Sequence, residues 1–277
     1  MATTAIVAPS TERHARRAPL EIWHLLSLDA PTVAAVWAAF FAASFHVTLP
    51  WTAPLALALA VWIFYAADRL GDAQHDASAL EDRHRFHAQH ARSFLVAIGF
   101  AVPAVLVLLI ELPNTVRIAW LLLVLPLMAY AAAVHWLKLR VPKEWMVGLF
   151  FAIAIAAPCL LNKDHVAEWL CAAAFGILCW LNCVRIARAE SAATDRSTAW
   201  AVDHFRGITM AFAATNAAIA LFLPQTRGVA LALMVAAFFL RALDGLEPRT
   251  SAVRMRALAD AALLTPLLLW PLLRYLA

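Results

Sequence analysis

Long apolar stretches alternate with short polar ones along this 277-residue chain. A membrane-spanning α-helix needs about 20 mainly apolar residues, and nine stretches approach that length. The predicted helices cover residues 28–48, 52–70, 93–111, 115–136, 145–162, 166–187, 203–223, 227–243 and 254–275. Prolines fall at or near several of the joints, where a missing backbone N–H does least harm. The pattern therefore predicts a bundle of nine transmembrane helices.

The composition supports a membrane protein. The chain is 64% hydrophobic and only 14% charged, with a mean hydropathy of +0.75, whereas soluble domains are about half apolar and a quarter charged. A transmembrane β-barrel would need short alternating strands, and the sequence has none. We therefore predict an all-α, polytopic membrane protein. We expect residues 1–19 to form a disordered cytoplasmic tail and residues 20–277 to form a single nine-helix transmembrane domain.

The distribution of basic residues predicts the orientation of the bundle. Positively charged residues collect in cytoplasmic loops. With the N-terminus placed inside, eighteen of the 22 lysines and arginines fall on the cytoplasmic side, and the four outside are Arg117, Lys163, Arg227 and Arg274. The net charge of +4 mostly restates this bias, and no nucleic-acid-binding motif accompanies it. We expect a multi-pass protein of a bacterial inner (plasma) membrane, in contact with lipid and not with nucleic acid.

Three carboxylates recur at intervals of four where the second apolar stretch ends. The segment "YAADRLGDAQHD" contains Asp68, Asp72 and Asp76, which lie on nearly one face of a helix. Unpaired, they repel one another, so a bound cation explains them best. Carboxylate oxygens suit Mg²⁺, which often also holds substrate phosphates. The alternative is a solvated helix end whose acids pair with nearby arginines.

Four segments of the chain together resemble one known family. They read "LSLDAPTVAAVWAAF", with Asp29 and Pro31, then "DRLGDAQHD", "RHRFHAQH" and "HWLKLRVPKEWMVGLFFAIAIAAP". The family is the UbiA-type intramembrane prenyltransferases. The first segment is similar to its opening stretch, and the second resembles its first aspartate-rich motif, although the motif's asparagine is replaced by Ala67. The third occupies the place of the basic stretch that follows, and the fourth resembles the segment between helices four and five.

The resemblance implies Mg²⁺-dependent transfer of a prenyl group. The donor would be a prenyl diphosphate, the acceptor an aromatic or other lipophilic molecule in the membrane, and the active face cytoplasmic. The resemblance makes the three ladder aspartates the catalytic and metal-binding residues. It makes the basic residues of the third and fourth segments candidates for binding the substrate: Arg83, Arg85, Lys138 and Arg140.

The second aspartate-rich motif of that family is depleted here. The corresponding segment reads "WLNCVRIARAESAATDR". The positions at intervals of four, where the family has acids, are Asn182, Ile186 and Glu190, and only Glu190 is acidic. Glu190 is a candidate metal ligand. Asn182 could bind metal or phosphate, or form an interhelical hydrogen bond. Arg185 and Arg188 could neutralise a diphosphate, because guanidinium groups bind phosphate bidentately. Alternatively, the protein is a non-catalytic UbiA-like membrane protein that binds lipid or a protein partner.

Two further polar features have a structural interpretation. His84, His87 and His90 recur at intervals of three, and we interpret them as part of a polar helical loop that covers the site rather than as a metal site. Asp260 follows Arg256 by one helical turn, which predicts an ion pair within the ninth helix.

Overall fold

The computed structural model describes residues 18–72, 82–135, 142–161, 166–190, 195–246 and 250–273. The described part of the chain is helical, without a β-strand. Its α-helices, in chain order, are α1 (Pro19–Leu25), α2 (Asp29–Ser44), α3 (Thr52–Asp72), α4 (Asp82–Gln89), α5 (Ala91–Ile110), α6 (Asn114–His135), α7 (Lys143–Leu160), α8 (Val166–Ala189), α9 (Arg196–Asp203), α10 (Phe205–Phe222), α11 (Arg227–Ala242), α12 (Ala252–Ala262) and α13 (Pro266–Leu269).

Six of the described helices are long and apolar enough to cross a membrane. They are α3, α5, α7, α8, α10 and α11, the last extended by a 3₁₀ turn at each end. α1 and α2 together make a seventh candidate, although they are bent by 91°. α6 contains a shorter apolar stretch, Asn114–Tyr130. The predicted all-α class is confirmed, and the helices have the length and composition of a membrane-spanning protein.

The first eight predicted helices agree with the observed ones to within four residues at either end. The ninth, predicted as continuous over 254–275, is interrupted between α12 and α13. Pro266 begins α13, and a proline has no N–H with which to continue the preceding helix. Beside it, the Thr265 hydroxyl donates to the Ala232 carbonyl at 2.9 Å, so this interruption is fixed against α11.

Three short helices, α1, α4 and α9, lie outside the nine predicted membrane-spanning helices, and α4 covers most of the predicted polar helical loop. Each has eight residues or fewer, too few to appear as an apolar stretch of membrane-spanning length. α1 packs against α12 and α4, and it brings the N-terminal part of the chain against the C-terminal part. The predicted disordered tail lies outside the described residues, except that Ala18 and Pro19 are ordered at the start of α1.

The core is formed by helices that lie at the centre of the bundle, α2 and α8 above all. Trp37, Phe41 and Phe175 are fully buried, and the ring centroids of Trp37 and Phe175 are 4.4 Å apart. The Trp37 indole donates to the Leu263 carbonyl at 2.7 Å, directly after α12. In the membrane-spanning segment of α8, 67% of the residues are buried, but in that of α5 only 6% are. α5 therefore lies at the periphery, with its apolar side chains available to lipid.

A pair of glycines allows α7 and α8 to approach closely. A Cβ atom added at Gly148 would lie 2.9 Å from the Gly176 carbonyl oxygen and 3.0 Å from the Trp180 amide nitrogen. Both neighbouring atoms belong to backbone and cannot rotate away. Beside this contact, Trp145 and Trp180 stack with centroids 4.1 Å apart. Small residues at such positions are typical of helix contacts in membranes.

We expect Gly148→Ala to destabilise the protein, because the added methyl group forces α7 and α8 apart. Overpacking of this kind costs about 1–3 kcal/mol. Gly99→Ala is the matched control, since a Cβ atom at Gly99 meets nothing within 4 Å and alanine favours a helix interior by roughly 1 kcal/mol. Thermal unfolding in detergent should give a lower midpoint for Gly148→Ala only. Equal midpoints for the two variants would contradict this packing.

Candidate functional site

The bend between α1 and α2 is held by side chains from two other helices. Ser27 lies at the bend with a φ of 59°, a left-handed conformation that is uncommon for residues other than glycine. Its hydroxyl accepts a hydrogen bond from Arg69 of α3 at 2.9 Å and lies 3.1 Å from Nε2 of His87 in α4. Arg69 also donates to the His24 carbonyl at 2.7 Å. The bend is therefore fixed from α3 and α4.

A buried group of charged and titratable side chains lies directly at this bend. His24 Nδ1 is hydrogen-bonded to Asp29 Oδ2, and Arg69 approaches the same oxygen to 3.5 Å. The other oxygen of Asp29 accepts from the Ala30 amide at 3.0 Å. His24 and Asp29 are each 1% exposed, and Arg69 is 6% exposed. Because isolated charges are costly to bury, each member depends on the others.

α8 and α12 complete this group with one amide and one further carboxylate. Asn182 donates to Asp260 Oδ1 at 2.7 Å, which is the interhelical hydrogen bond that the sequence left open. Single ligand atoms of His24, Asp29 and Asp260 lie within 4.8 Å of one another. We call these three residues the His24–Asp29–Asp260 cluster. It is assembled where α1, α2, α3, α8 and α12 meet at one end of the bundle.

Further polar groups extend from this cluster toward α6 and α7. Tyr65 of α3 lies within electrostatic range of Asp29 and Asp260. Asp68 is exposed. It lies three residues after Tyr65, which places both on the same side of α3. The charges of Asp68 and Glu144 both act on Tyr130 of α6. Tyr65 and Tyr130 therefore lie within electrostatic range of acids on α2, α3, α7 and α12.

The structure describes part of the predicted substrate and metal site. Asp72 is the last residue of α3, but its side chain and the whole of Asp76 lie outside the described residues. The same holds for the Arg83 side chain, and for Lys138 and Arg140. Arg85 is exposed on α4. The carboxylate ladder therefore remains a prediction, with the placement of Asp68 as the part that the structure describes.

Glu190, the acid of the depleted second motif, is engaged by an arginine. It forms a bidentate ion pair with Arg256 of α12. The predicted pair between Arg256 and Asp260 was therefore wrong. Arg256 lies one helical turn before Asp260 on α12, and this turn places it beside the end of α8. Glu190, directly after α8, is there the carboxylate that Arg256 contacts. The α8–α12 contact thus carries two polar pairs in succession.

Arg185 and Arg188, the two predicted phosphate ligands, contact Asp244. The Asp244 side chain is 3% exposed and is approached by four guanidinium groups: Arg185 at 3.7 Å, Arg188 at 3.5 Å, Arg206 at 3.3 Å and Arg241 at 3.1 Å. Arg185 is fully buried and also donates to the Leu243 carbonyl. Four arginines around one carboxylate give this end of α8 an excess of positive charge.

Sequence reasoning missed the roles of His24, Arg69 and Asp260 in the site. The available signal was that each is a polar residue inside or beside an apolar stretch, and such residues in membrane proteins are functional candidates. Their contacts with one another depend on the α1–α2 bend. No spacing rule predicts that bend, since it requires the left-handed Ser27.

Comparison with known proteins adds no assignment. No family model, curated protein or solved structure matches this chain. The resemblance to UbiA-type prenyltransferases therefore depends on the four segments quoted above. The interpretation of the site depends on the residues that the structure describes.

Asp195, the other acid near the depleted motif, has a structural role at the start of α9. Partial burial raises the pKa of its carboxyl, but hydrogen bonds from the Ser197 hydroxyl and from the Thr198 amide and hydroxyl outweigh burial, and the pKa falls to about 2. The Ser197 and Thr198 amides donate to Asp195 Oδ1 at 2.7 and 3.0 Å. This is the contact of a helix N-cap.

We expect Asp195→Ala to destabilise α9 by about 0.5–2 kcal/mol at neutral pH, as the loss of other N-caps does. Because the folded-state pKa is lowered, the stabilisation is present above the unfolded value near 3.9 and is lost as pH falls through about 2. Amide hydrogen exchange of α9 at several pH values measures the effect. Asp203→Ala, at an exposed acid of the same helix, is the control, and an equal change in both variants would contradict the assignment.

Proposed function

We propose that this protein transfers a prenyl group from a prenyl diphosphate to an aromatic or other lipophilic acceptor within the membrane, with Mg²⁺ as cofactor. The observation that carries the proposal is the polar site inside an apolar helical bundle. His24, Asp29, Arg69 and Asp260 are brought together from distant parts of the chain, and ionisable residues within membrane segments mark functional sites by default.

The charges at this end of the bundle suit an anionic substrate that requires a divalent cation. Asp68 directly precedes Arg69, the residue of α3 that contacts the buried cluster. The carboxylates of Asp68, Asp72 and Asp76 would provide the oxygen-donor set that Mg²⁺ prefers. When bound there, Mg²⁺ would supply positive charge to the departing diphosphate. The four arginines around Asp244 lie at the same end and would attract the diphosphate electrostatically.

The division of labour among the residues follows from their surroundings. Asp68 is exposed and available to hold a cation. Arg69, one residue later, is buried and committed to Asp29 and the α1–α2 bend, so it would keep the site in shape rather than contact the substrate. The apolar tail of the substrate would lie among the helices, where water is excluded from the reacting carbon.

We further propose nine membrane crossings with the N-terminus in the cytoplasm of a bacterial cell. α6 and the α12–α13 pair would add two crossings to the seven candidates above. In this arrangement the C-terminal ends of α3 and α8 face the cytoplasm, together with the polar site. The distribution of lysine and arginine along the chain supports this orientation.

The alternative is a UbiA-like membrane protein that binds lipid or a protein partner without catalysis. One observation favours it. Glu190, the remaining acid of the second motif, is paired with Arg256 and is not available to a cation in this arrangement. A test of the proposal must therefore separate substrate binding from turnover.

We expect prenyl diphosphates to raise the thermal stability of the purified protein only when Mg²⁺ is present, since a ligand of the folded state stabilises it by mass action. Chains of geranyl to geranylgeranyl length should be tested. Asp72→Ala should abolish the Mg²⁺-dependent shift, whereas Asp195→Ala should reduce it less. Release of pyrophosphate that requires Mg²⁺ would then distinguish an enzyme from a binding protein.

Two outcomes would contradict these assignments. Equal and mild effects of the two substitutions would exclude the carboxylate ladder as the cation site. The absence of a shift with every chain length would exclude the prenyltransferase function and favour the non-catalytic alternative.

The orientation can be tested by labelling single cysteines from outside the cell. In a variant without its four natural cysteines, a cysteine at position 117 or 227 should react with a membrane-impermeant maleimide in intact cells, because both positions lie on the predicted external side. A cysteine at position 85 or 206 should react only after the membrane is opened. The reverse pattern would overturn the proposed orientation.

A further inference from the structure

We propose that the His24–Asp29–Asp260 cluster binds one divalent first-row transition-metal cation, Mn²⁺, Fe²⁺ or Zn²⁺, at a site separate from the carboxylate ladder that begins at Asp68. Each residue of the cluster offers one nitrogen or oxygen atom, and the three atoms lie within 4.8 Å of one another. Atoms bound to one cation at about 2.0–2.2 Å lie no more than about 4.4 Å apart, so small side-chain movements would suffice to bring the three atoms around one cation.

The two carboxylates of the cluster carry more negative charge than the one nearby guanidinium can neutralise. Asp29 and Asp260 contribute two carboxylates, and within the described residues Arg69 is the one arginine or lysine that forms an ion pair with either of them, at 3.5 Å from Asp29. Asp260 receives a neutral amide hydrogen bond from Asn182. Two neighbouring carboxylates cannot both remain charged with one guanidinium unless a proton or a cation is also bound.

Two buried acceptor atoms beside the carboxylates favour a cation over a proton alone. His24 Nε2 and Asn182 Oδ1 have no hydrogen-bond partner among the described residues, although their side chains belong to residues that are only 1% and 7% exposed. A proton shared by Asp29 and Asp260 would leave both atoms unsatisfied, whereas a cation can accept their lone pairs. The hydrogen bond between His24 Nδ1 and Asp29 fixes the imidazole ring, so that Nε2 is the nitrogen left for a cation.

The ligand set indicates which metals would bind. Imidazole nitrogen suits zinc and iron, carboxylate oxygen suits manganese, and Mg²⁺ prefers a site made of oxygen ligands and water. The cluster combines one imidazole with two carboxylates and contains no thiolate. Asp260 is the one ligand of the three that is half-buried rather than buried.

Metal binding can be measured directly on the full-length protein in detergent after treatment with EDTA. We expect equilibrium dialysis against MnCl₂ or ZnCl₂, followed by elemental analysis, to give one cation per chain. Asp260→Asn and His24→Gln should each weaken binding at least tenfold, a loss in the range seen for substitutions around metal sites. Asp203→Asn, at an exposed acid, should bind as the unmodified protein does.

The same measurement separates this proposal from the proposed function. Asp68→Asn should retain the Mn²⁺ or Zn²⁺ site while losing the Mg²⁺-dependent response to prenyl diphosphates. Loss of the prenyl diphosphate response alone would leave the transition-metal site standing, and loss of metal binding alone would leave the prenyltransferase function standing.

A spectroscopic measurement on the unmodified protein tests the proposal without depending on whether a variant folds. Mn²⁺ bound to the unmodified protein should show pulsed-EPR coupling to a ¹⁴N nucleus of imidazole, and His24→Gln, if its metal-free thermal midpoint is unchanged, should lose this coupling. The proposal is overturned if the unmodified protein binds neither metal at micromolar concentration, if the bound Mn²⁺ shows no nitrogen coupling, or if folded Asp260→Asn binds as tightly as the unmodified protein.

Discussion

One guanidinium group, that of Arg69, holds the α1–α2 bend and the buried carboxylate of Asp29 in place together. It donates to the His24 carbonyl and the Ser27 hydroxyl and pairs with Asp29. A planar guanidinium can serve several acceptors at once, whereas a lysine ammonium presents its charge at one point. Without Arg69 the buried Asp29 carboxylate would lose the guanidinium that pairs with it, and burial of a charge that is not compensated costs several kcal/mol.

The centre, the periphery and one end of the bundle differ in the polarity of their side chains. Apolar packing around Trp37 and the close contact at Gly148 form the rigid centre, and α5 exposes most of its side chains to the surroundings. Polar side chains concentrate at the end where α3 and α8 terminate. Two buried acids there, Asp29 and Asp244, are compensated by arginine. This arrangement keeps charged groups inside the molecule without exposing them to lipid.

The long helices were predictable, because hydrophobic length alone fixes a membrane-spanning segment. The site was predictable only in part. Asn182 and Asp68 were identified from spacing. The structure places Asn182 beside the cluster and Asp68 exposed on α3, one residue before Arg69. His24 and Asp260 were not identified, since they lie near opposite ends of the chain and meet only through the bend at Ser27. The partner of Arg256 was predicted wrongly because spacing within one helix does not reveal a nearer carboxylate on another.

The separation of Asp29 and Asp260 along the chain has a consequence for how the protein is made. Asp29 and Arg69 are translated close together and can pair before α12 has been made. Until α12 follows, Asn182 lacks its acidic partner and α1 lacks one of the helices against which it packs. The cluster is thus completed only when α12 has been inserted, and a chain that stalls before α12 lacks Asp260.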